Sequence, residues 1–507
     1  MEPQEWEIWH TYSTYYHPPR VDVGELACAL VDAGLAECAM TSDGMTHWRL
    51  QGTRRSGRTI MRPTSAHNQA SLSLECDPGS DSPADYAHEA WSQASRFLFH
   101  ERRIFGDHPP LQHAYVRAFS GPCELLSDAV RITVYPVMKV WETGAASIHL
   151  RVIGPVGAVP LVDFIGNWVN LFQHGFDGAR VPPGLASIAP RAYLAYSEPR
   201  AARRRDREAD SLHERHDQAV AALTAVDQSA EFEYEFAPLP RSAEDKETIK
   251  GLAMTMLSAL GVAISGLHTA SATRLLRRAR ALPSFGAYWS GRPNVHLVRF
   301  TDQQDTASQN EQIHRSALGA IMSRGPVEGH PSPGSNLPED LRTFDDYACY
   351  VSSALSLWVW SLQGLEQQRE WEDPNRGHLI YANQVVCEVL DYGCMRQRSL
   401  ADKADSLAST RDVLAARRYV ADLPLQMHES SLHGEVRTLL EHGWHEMGME
   451  RLRSRVSEAL AVRDEQASIA ESNRRDRVGT ALTVFFGRMA VPAVSEGILT
   501  PIWKWRQ

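Results

Sequence analysis

Two β-rich runs joined by a short turn constrain the fold more than any other feature of this sequence. The first run covers residues 130–141 and the second covers residues 146–153, with Gly144 in the turn between them. Such runs on either side of a Gly-containing turn predict a β-hairpin, so the chain must build a sheet. Pro136 cannot donate a ladder hydrogen bond, and we therefore expect its strand to be an edge strand or to contain a bulge.

Shorter strand and helix patterns surround this hairpin. Strands are predicted at residues 6–12, 46–50, 70–76, 232–236, 284–289 and 295–300, and helices at 23–33, 84–105, 161–172 and 244–264. Gly291, Arg292 and Pro293 predict a turn between the last two strands. We therefore expect residues 1–324 to form a mixed α/β domain, with a subdomain break near residues 197–210.

The composition changes at residues 325–340, which are rich in Pro, Gly and Ser and are typical of a linker. Beyond them only helices are predicted, at residues 341–369, 375–398, 400–420 and 428–474. Apolar residues of the last helix recur at near-heptad spacing, which predicts a stalk-like helix with a coiled-coil seam. The predicted class is therefore α+β, with a helical domain over residues 341–477.

The overall composition is that of a globular chain, with 43% hydrophobic and 22% charged residues. A net charge of −10 argues against nucleic acid as a partner. The seven cysteines are widely spread and form no C-x-x-C pair, and the acidic start of the chain lacks a secretory signal pattern. We therefore expect the bulk of the protein in the cytoplasm, with buried thiols.

The sequence contains none of the motifs that would assign a reaction. A P-loop, a G-x-G-x-x-G loop, a G-x-S-x-G elbow and an H-E-x-x-H pair are all missing. We predict no catalytic residue and no cofactor, and we favour a non-enzymatic protein. An enzyme whose site is assembled from scattered residues is the less favoured alternative.

Two histidine pairs are the candidate metal ligands. His213 and His216, and likewise His442 and His445, are three residues apart and would share one helix face. Acidic residues adjoin both pairs, and imidazole together with carboxylate can bind zinc. The favoured interpretation is an exposed polar face, so no metal is predicted.

Residues 478–507 form an apolar C-terminal segment that is long enough to cross the ~30 Å core of a bilayer. Basic and aromatic residues flank it, as expected of interface anchors. Each charge inside it would cost roughly 2.5–3.5 kcal/mol at mid-bilayer, and prolines would kink the helix. The residues that characterise the candidate membrane segment are Leu482, Phe485, Phe486, Arg488, Pro492, Glu496 and Trp503.

This end of the chain resembles the CorA family of magnesium transporters. The resemblance lies in a long helix up to Arg474 and in residues 473–486, where Leu482 and Thr483 precede Phe486 in a Leu-Thr-x-x-Phe run. The family's Gly-Met-Asn signature is missing, so transport and magnesium binding are not expected. The resemblance implies a soluble domain on a stalk, assembled side by side at a membrane. It also extends to CorA-like components of bacterial conflict and defence systems.

Two functions follow from these patterns. The first is a non-enzymatic, membrane-associated homo-oligomer with a cytosolic sensing or partner-binding domain, attached to the cell membrane and its lipids through the C-terminus. The alternative is a soluble scaffold or interaction protein whose C-terminal segment packs on its own helical domain.

Overall fold

A computed structural model describes the chain in sixteen stretches. These are residues 1–16, 20–63, 70–107, 111, 113–127, 131–155, 157–188, 227–228, 235–238, 247–266, 289–325, 337–371, 380–403, 407, 410–431 and 433–494. The predicted subdomain break near 197–210 and most of the predicted linker lie outside these residues.

One large mixed sheet dominates the described residues. Its strands are β1 (Pro3–Tyr15), β2 (Cys38–Thr41), β3 (Met45–Leu50), β4 (Thr53–Pro63), β5 (Ala70–Cys76), β6 (Tyr115–Phe119), β7 (Cys123–Leu126), β8 (Arg131–Trp141), β9 (Ala145–Ile153), β10 (Gly178–Val181), β11 (Asp227–Gln228), β12 (Glu235–Pro238), β13 (Trp289–Phe300), β14 (Tyr347–Val351) and β15 (Ser356–Trp360). The main path runs β14-β15-β13-β1-β9-β8-β6-β2-β3-β4-β5. Along this path β13 and β15 are parallel and the other neighbours are antiparallel.

Helices lie between the strands along the chain and follow the last of them. They are α1 (Val23–Asp32), α2 (Asp85–Phe105), α3 (Ile249–Gly266), α4 (Ala307–Ser323), α5 (Leu362–Trp371), α6 (Ile380–Lys403), α7 (Thr410–Glu429), α8 (Gly434–Glu446) and α9 (Met449–Val494), with a short irregular helical stretch over residues 161–173. The predicted α+β class is confirmed, and the described elements after β15 are all helical.

Local sequence signals explain where several of these elements begin. The Asp22 carboxylate accepts hydrogen bonds from the backbone N–H groups of Gly24 and Glu25, both at 3.0 Å, and so caps α1. Thr306 and Gln309 form a reciprocal capping box at the start of α4. These short-range bonds set the starts of two helices that pack on the sheet.

The predicted hairpin is confirmed as β8 and β9, but β8 is an interior strand. Pairing of β8 with β6 ends at Val137, and pairing with β7 begins at Val134. Pro136 lies between these two ladders and is paired with neither β6 nor β7. Its missing N–H therefore removes no hydrogen bond to these strands. The expectation of an edge strand was therefore wrong, and the proline marks a change of partner strand instead.

The predicted helix over residues 341–369 was wrong, because β14 and β15 lie within it. The side chains of β15 are buried on both faces of the sheet, with Leu357 in the apolar core and Trp358 on the opposite face. A strand buried on both faces has a continuous apolar sequence, without the alternation that distinguishes a strand from a helix. Trp358 and Trp360 therefore belong to a strand.

The predicted turn at residues 291–293 was also wrong, since β13 continues through it. Arg292 is buried in this strand, and its guanidinium lies 3.4 Å from the Asp391 carboxylate. Pro293 is tolerated because the ladder between β13 and β15 begins only at Asn294. A long-range ion pair thus keeps extended a segment whose local sequence favours a turn.

The predicted helix over residues 428–474 is interrupted. Gly448 has a φ of +69°, a left-handed conformation that ends α8 and separates it from α9. The 46 residues of α9 extend over about 70 Å at 1.5 Å per residue.

The chain divides into two compact units. The first comprises residues 1–396 and 424–450, and the second comprises residues 397–423 and 451–507. In the second unit, Val413 and Val420 of α7 form a small apolar core with Val456 and Leu460 of α9. Val456 and Leu460 of α9 thus pack against another helix of the same unit.

Side chains of the central strands alternate between two different environments. One face, including Ile8, Tyr12, Val140 and Leu150, belongs to a large apolar core that also contains residues of α1, α3 and α4. The other face carries buried polar and charged side chains that contact α2 and α6. Buried charges are therefore concentrated on this second face.

Replacing Gly154 with alanine is expected to destabilise the apolar face. The added Cβ would overlap the indole ring of Trp6, which already packs edge-on against Phe164 at a centroid distance of 5.1 Å. We expect the free energy of unfolding to fall by about 1–3 kcal/mol, as measured by urea denaturation. Gly166→Ala is the matched control, because its Cβ would meet no atom within 4 Å. Equal stability of the two variants would contradict this packing.

Candidate functional site: a buried charged cluster

A row of polar side chains crosses the sheet on the face opposite the apolar core. The strand register places these side chains beside one another, in the order Arg117 on β6, Lys139 on β8, Ser147 and His149 on β9, Thr11 on β1 and Arg292 on β13. All of them are almost completely buried. The row exists because each strand contributes a polar residue at the same inward-facing position.

Helix α6 presents a matching polar stripe to this row. Gln384, Glu388 and Asp391 are spaced by four and three residues, so they share one face of the helix. Their exposed fractions are 0%, 0% and 2%, so the stripe is sealed from solvent. Burying charges costs free energy unless partners compensate them. The contacts of the stripe show how this compensation occurs.

Glu388 is the central acceptor of the cluster. Arg117 donates two parallel hydrogen bonds to its carboxylate, at 2.6 and 2.8 Å, and Lys139 Nζ donates a third at 2.9 Å. His149 Nε2 lies 3.6 Å from the same carboxylate. Bidentate Arg–carboxylate pairs are the strongest of the charge-assisted hydrogen bonds. Glu388 therefore joins α6 to β6 and β8.

Glu101 of α2 completes the cluster from a second helix. Its carboxylate accepts a hydrogen bond from Lys139 Nζ at 2.8 Å and a longer one from Arg117 at 3.4 Å. The hydroxyl of Tyr115 also donates to it. The guanidinium of Arg117 lies 3.9 Å from the centre of the Phe97 ring, on the same helix as Glu101. Both helices on this face are thus tied to the same two cations.

Two further ion pairs extend the cluster. Arg292 pairs with Asp391 and donates to the carbonyl oxygen of Ser352 at 3.2 Å and to the hydroxyl of Ser356. At the other side, Arg151 donates to Glu7 at 2.7 Å. The cluster therefore spans six strands and two helices.

The cluster is electrically balanced. Its four cations and four anions are Arg117, Lys139, Arg151, Arg292, Glu7, Glu101, Glu388 and Asp391. Each cation lies within 3.4 Å of at least one of these carboxylates, so no unpaired charge is left to attract a charged ligand. Burial and balance together indicate that the cluster holds α2 and α6 on the sheet.

Burial and pairing set the protonation of the cluster. Burial alone would raise the pKa of Glu388, but the charges of Arg117 and Lys139 outweigh it and hold the pKa at about 2. Burial lowers the pKa of His149 to about 4, so the imidazole is neutral at pH 7. Burial raises the pKa of Asp391 to about 6, because its pairing with Arg292 offsets only part of the desolvation.

The neutral state of His149 predicts a loss of stability in mild acid. Its folded pKa of about 4 lies below the ordinary histidine value of 6.5, so the unfolded chain binds a proton first as the pH falls. Stability from this group is therefore fully present above pH 6.5 and is lost as the pH falls from 6.5 towards 4. Between pH 6.5 and pH 5 the loss should be about 2 kcal/mol.

Urea denaturation at pH 7 and pH 5 measures this effect. His149→Gln cannot titrate, and it can still hydrogen-bond to Thr11, which lies 3.0 Å from the His149 ring in the native protein. Between pH 7 and pH 5, we expect the free energy of unfolding of this variant to fall by about 2 kcal/mol less than that of the native chain. The same pH dependence in both proteins would show that His149 does not titrate as proposed.

The candidate metal ligands are not brought together with further ligands. His442 and His445 lie on α8 and are exposed, and the ring of His442 is 3.9 Å from the Glu339 carboxylate. Over the stretches that the structure describes, no three His, Cys, Asp or Glu side chains are grouped as metal ligands. His213 and His216 lie outside the described residues.

Five of the seven cysteines are buried, whereas Cys28 and Cys76 are partly exposed. Cys28 Sγ lies 3.7 Å from His47 Nε2, and His47 Nδ1 lies 2.8 Å from the hydroxyl of Ser56. No local sequence pattern indicates this contact, because the three residues come from a helix and two strands. Burial raises the pKa of Cys28 and lowers that of His47, so the pair is a neutral thiol and a neutral imidazole. It lacks the thiolate that a cysteine nucleophile needs.

The C-terminal segment is helical as far as Val494. Leu482, Phe485, Phe486, Arg488 and Pro492 lie on α9, while Glu496 and Trp503 lie outside the described residues. The Leu482 side chain is 50% exposed. Within the described part of the chain, none of the helices combines the length and the apolar character required to cross a membrane.

Comparison with protein-family models found no match, and no curated protein or solved structure is significantly similar to this chain.

Proposed function

We propose that this protein is a non-enzymatic, membrane-associated homo-oligomer with a CorA-like arrangement, in which the α+β part senses a signal or binds a partner. The observation that carries the proposal is the group of exposed apolar side chains on α9 between residues 478 and 484. These side chains lead into the apolar sequence up to Trp503. A membrane would remove them from water.

The two parts of α9 differ in how their apolar residues are covered. Val456 and Leu460 are fully buried against α7. Val478, Leu482 and Val484 are 53%, 50% and 57% exposed. Clustered apolar side chains left in water at the end of a helix are typical of surfaces that bind a membrane or a protein.

Charge favours a membrane as the binding surface. Arg474, Arg475 and Arg477 directly precede the exposed apolar residues and are themselves exposed. Basic residues next to an apolar segment attract acidic headgroups, at about 1 kcal/mol for each residue near the surface. The combination of basic and apolar residues supports a contact with acidic lipids.

The buried cluster supports a non-enzymatic role. The strongly shifted pKa values of Glu388 and His149 arise inside a sealed, balanced network, where a substrate would have to displace α6. A catalytic acid or base must reach the reacting atom within hydrogen-bond distance. The arrangement fits a structural role better than a catalytic one.

One observation favours the alternative of a soluble scaffold. Val462 and Ile469 are also exposed, at 57% and 55%, and they are seven residues apart on one face of α9. This spacing is typical of a helix that pairs with another helix. A protein partner could therefore cover α9 without any membrane.

Two matched double variants of the full chain separate these functions. V478Q/L482Q alters the segment near the arginines, and V462Q/I469Q alters equally exposed residues further from it. After expression in cells and washing of membranes with alkaline carbonate, we expect the native chain and V462Q/I469Q in the pellet. V478Q/L482Q should lose at least half of its pelleted fraction. A native chain found wholly in the supernatant would overturn the membrane proposal and favour the scaffold.

A further inference from the structure

Strand β5 forms one end of the main sheet, and no described strand lies beyond its outer edge. It pairs with β4 over seven residue pairs, from Gly57 opposite Cys76 to Pro63 opposite Ala70. Among the described residues, no other strand pairs with β5. Within the described part of the chain, its outward-facing N–H and C=O groups are therefore open to pairing with another strand.

The opposite end of the sheet shows what a covered edge looks like in this fold. At β14, the N–H of Leu341 donates to the carbonyl of Cys349 at 2.8 Å, and the N–H of Cys349 donates to the Asp340 carboxylate at 2.9 Å. The chain thus uses residues 340 and 341 to satisfy that edge. Nothing comparable is found at β5 in the described residues.

The sequence of β5 carries few of the devices that keep edge strands from pairing, and the charge of Glu75 is its one such feature. Its residues are Ala-Ser-Leu-Ser-Leu-Glu-Cys, without proline, lysine or glycine. Its pairing with β4 has no shift in register, so no bulge twists the edge away. Natural edge strands that do not pair use one or more of these devices.

The side chains of β5 match a second copy of the same strand. In antiparallel pairing about Ser73 with a second copy of the chain, Leu72 would lie opposite Leu74 of that copy. The Leu72 and Leu74 side chains are only half-buried in one chain, and such cross-strand apolar pairs stabilise a sheet. Glu75 brings no repulsion, because Arg62 already pairs with it at 2.6 Å.

We infer that β5 pairs with β5 of a second copy of this chain, so that the two sheets join across a twofold axis. This inference rests on the proposed homo-oligomer and names one contact within it. In a twofold dimer both subunits contribute the same surface, so β5 alone can form the contact. The contact does not use residues 478–507.

Disulfide trapping in the full chain tests this pairing. In a background with Cys28→Ser and Cys76→Ser, Ser73→Cys places two thiols opposite each other at the twofold axis, where Cα atoms of paired strands lie about 4.5–5.5 Å apart. Mild oxidation should then convert most of the protein into a covalent dimer. Arg58→Cys on β4 is the control, because its side chain is 52% exposed but not on the open edge. Cross-linking of Ser73→Cys no faster than Arg58→Cys would overturn the inference.

A second variant measures the assembly without cross-linking. Leu74→Lys places a charge on each strand of the pair, and light scattering of the full chain in mild detergent should show a lower mass than for the native protein. Leu425→Lys alters a side chain that is 57% exposed elsewhere and should leave the mass unchanged. An unchanged mass for Leu74→Lys would contradict the pairing. Its membrane fraction should equal that of the native chain, so this test can fail separately from the membrane proposal.

Discussion

Replacing Glu388 with glutamine is expected to lower the free energy of unfolding by about 3–5 kcal/mol. In the native protein, Glu388 accepts hydrogen bonds from Arg117 and Lys139 at 2.6–2.9 Å. In the variant both cations stay buried, and the Glu101 carboxylate is the one anion that still pairs with them. An unpaired buried charge costs far more than a lost surface ion pair. Urea denaturation at pH 7, followed by circular dichroism, measures the change.

Glu441→Gln is the matched control for this prediction. The Glu441 side chain is 72% exposed on α8, so its substitution should change stability by less than about 0.5 kcal/mol. If Glu388→Gln were as stable as this control, the cluster would not hold α6 on the sheet.

Replacing Lys139 with methionine is also expected to lower the free energy of unfolding by about 3–5 kcal/mol. It leaves an excess of negative charge in the cluster, whereas Glu388→Gln leaves an excess of positive charge. Glu101 and Glu388 would then share the single cation of Arg117. The double variant E388Q/K139M restores the balance of one cation and one anion. Its loss of stability should be smaller than the sum of the two single losses by about 1–3 kcal/mol.

Additive losses would contradict a coupled cluster. The same urea titrations of the native chain, the two single variants and the double variant give the coupling free energy directly. As a control for methionine itself, Lys250→Met replaces a lysine of α3 that lies outside the charged cluster. This variant should show no coupling with Glu388→Gln, since distant sites contribute additively.

The elements that could be predicted from the sequence are those defined by local patterns. The β8–β9 hairpin, α1 and α2 were found because their periodicity or turn residues lie within a few positions of each other. By contrast, β15 was predicted as helix, because a strand buried on both faces has no alternation. The segment at Arg292 was predicted as a turn, because its local residues favour one.

The charged cluster could not be assembled from the sequence, because its contacts join distant positions. Arg117 and Glu388 are 271 residues apart, and Lys139 and Glu388 are 249 apart. A partial signal was present in α6, where Gln384, Glu388 and Asp391 form a polar stripe within an otherwise apolar stretch. A buried helix with such a stripe predicts polar partners but does not identify them.

The most direct test of the central claim is flotation of the purified full chain with phospholipid vesicles in a density gradient. The proposal predicts that the native chain and V462Q/I469Q float with vesicles containing acidic lipids and that V478Q/L482Q stays at the bottom. Native protein that stays at the bottom with every vesicle composition would contradict membrane association through residues 478–507.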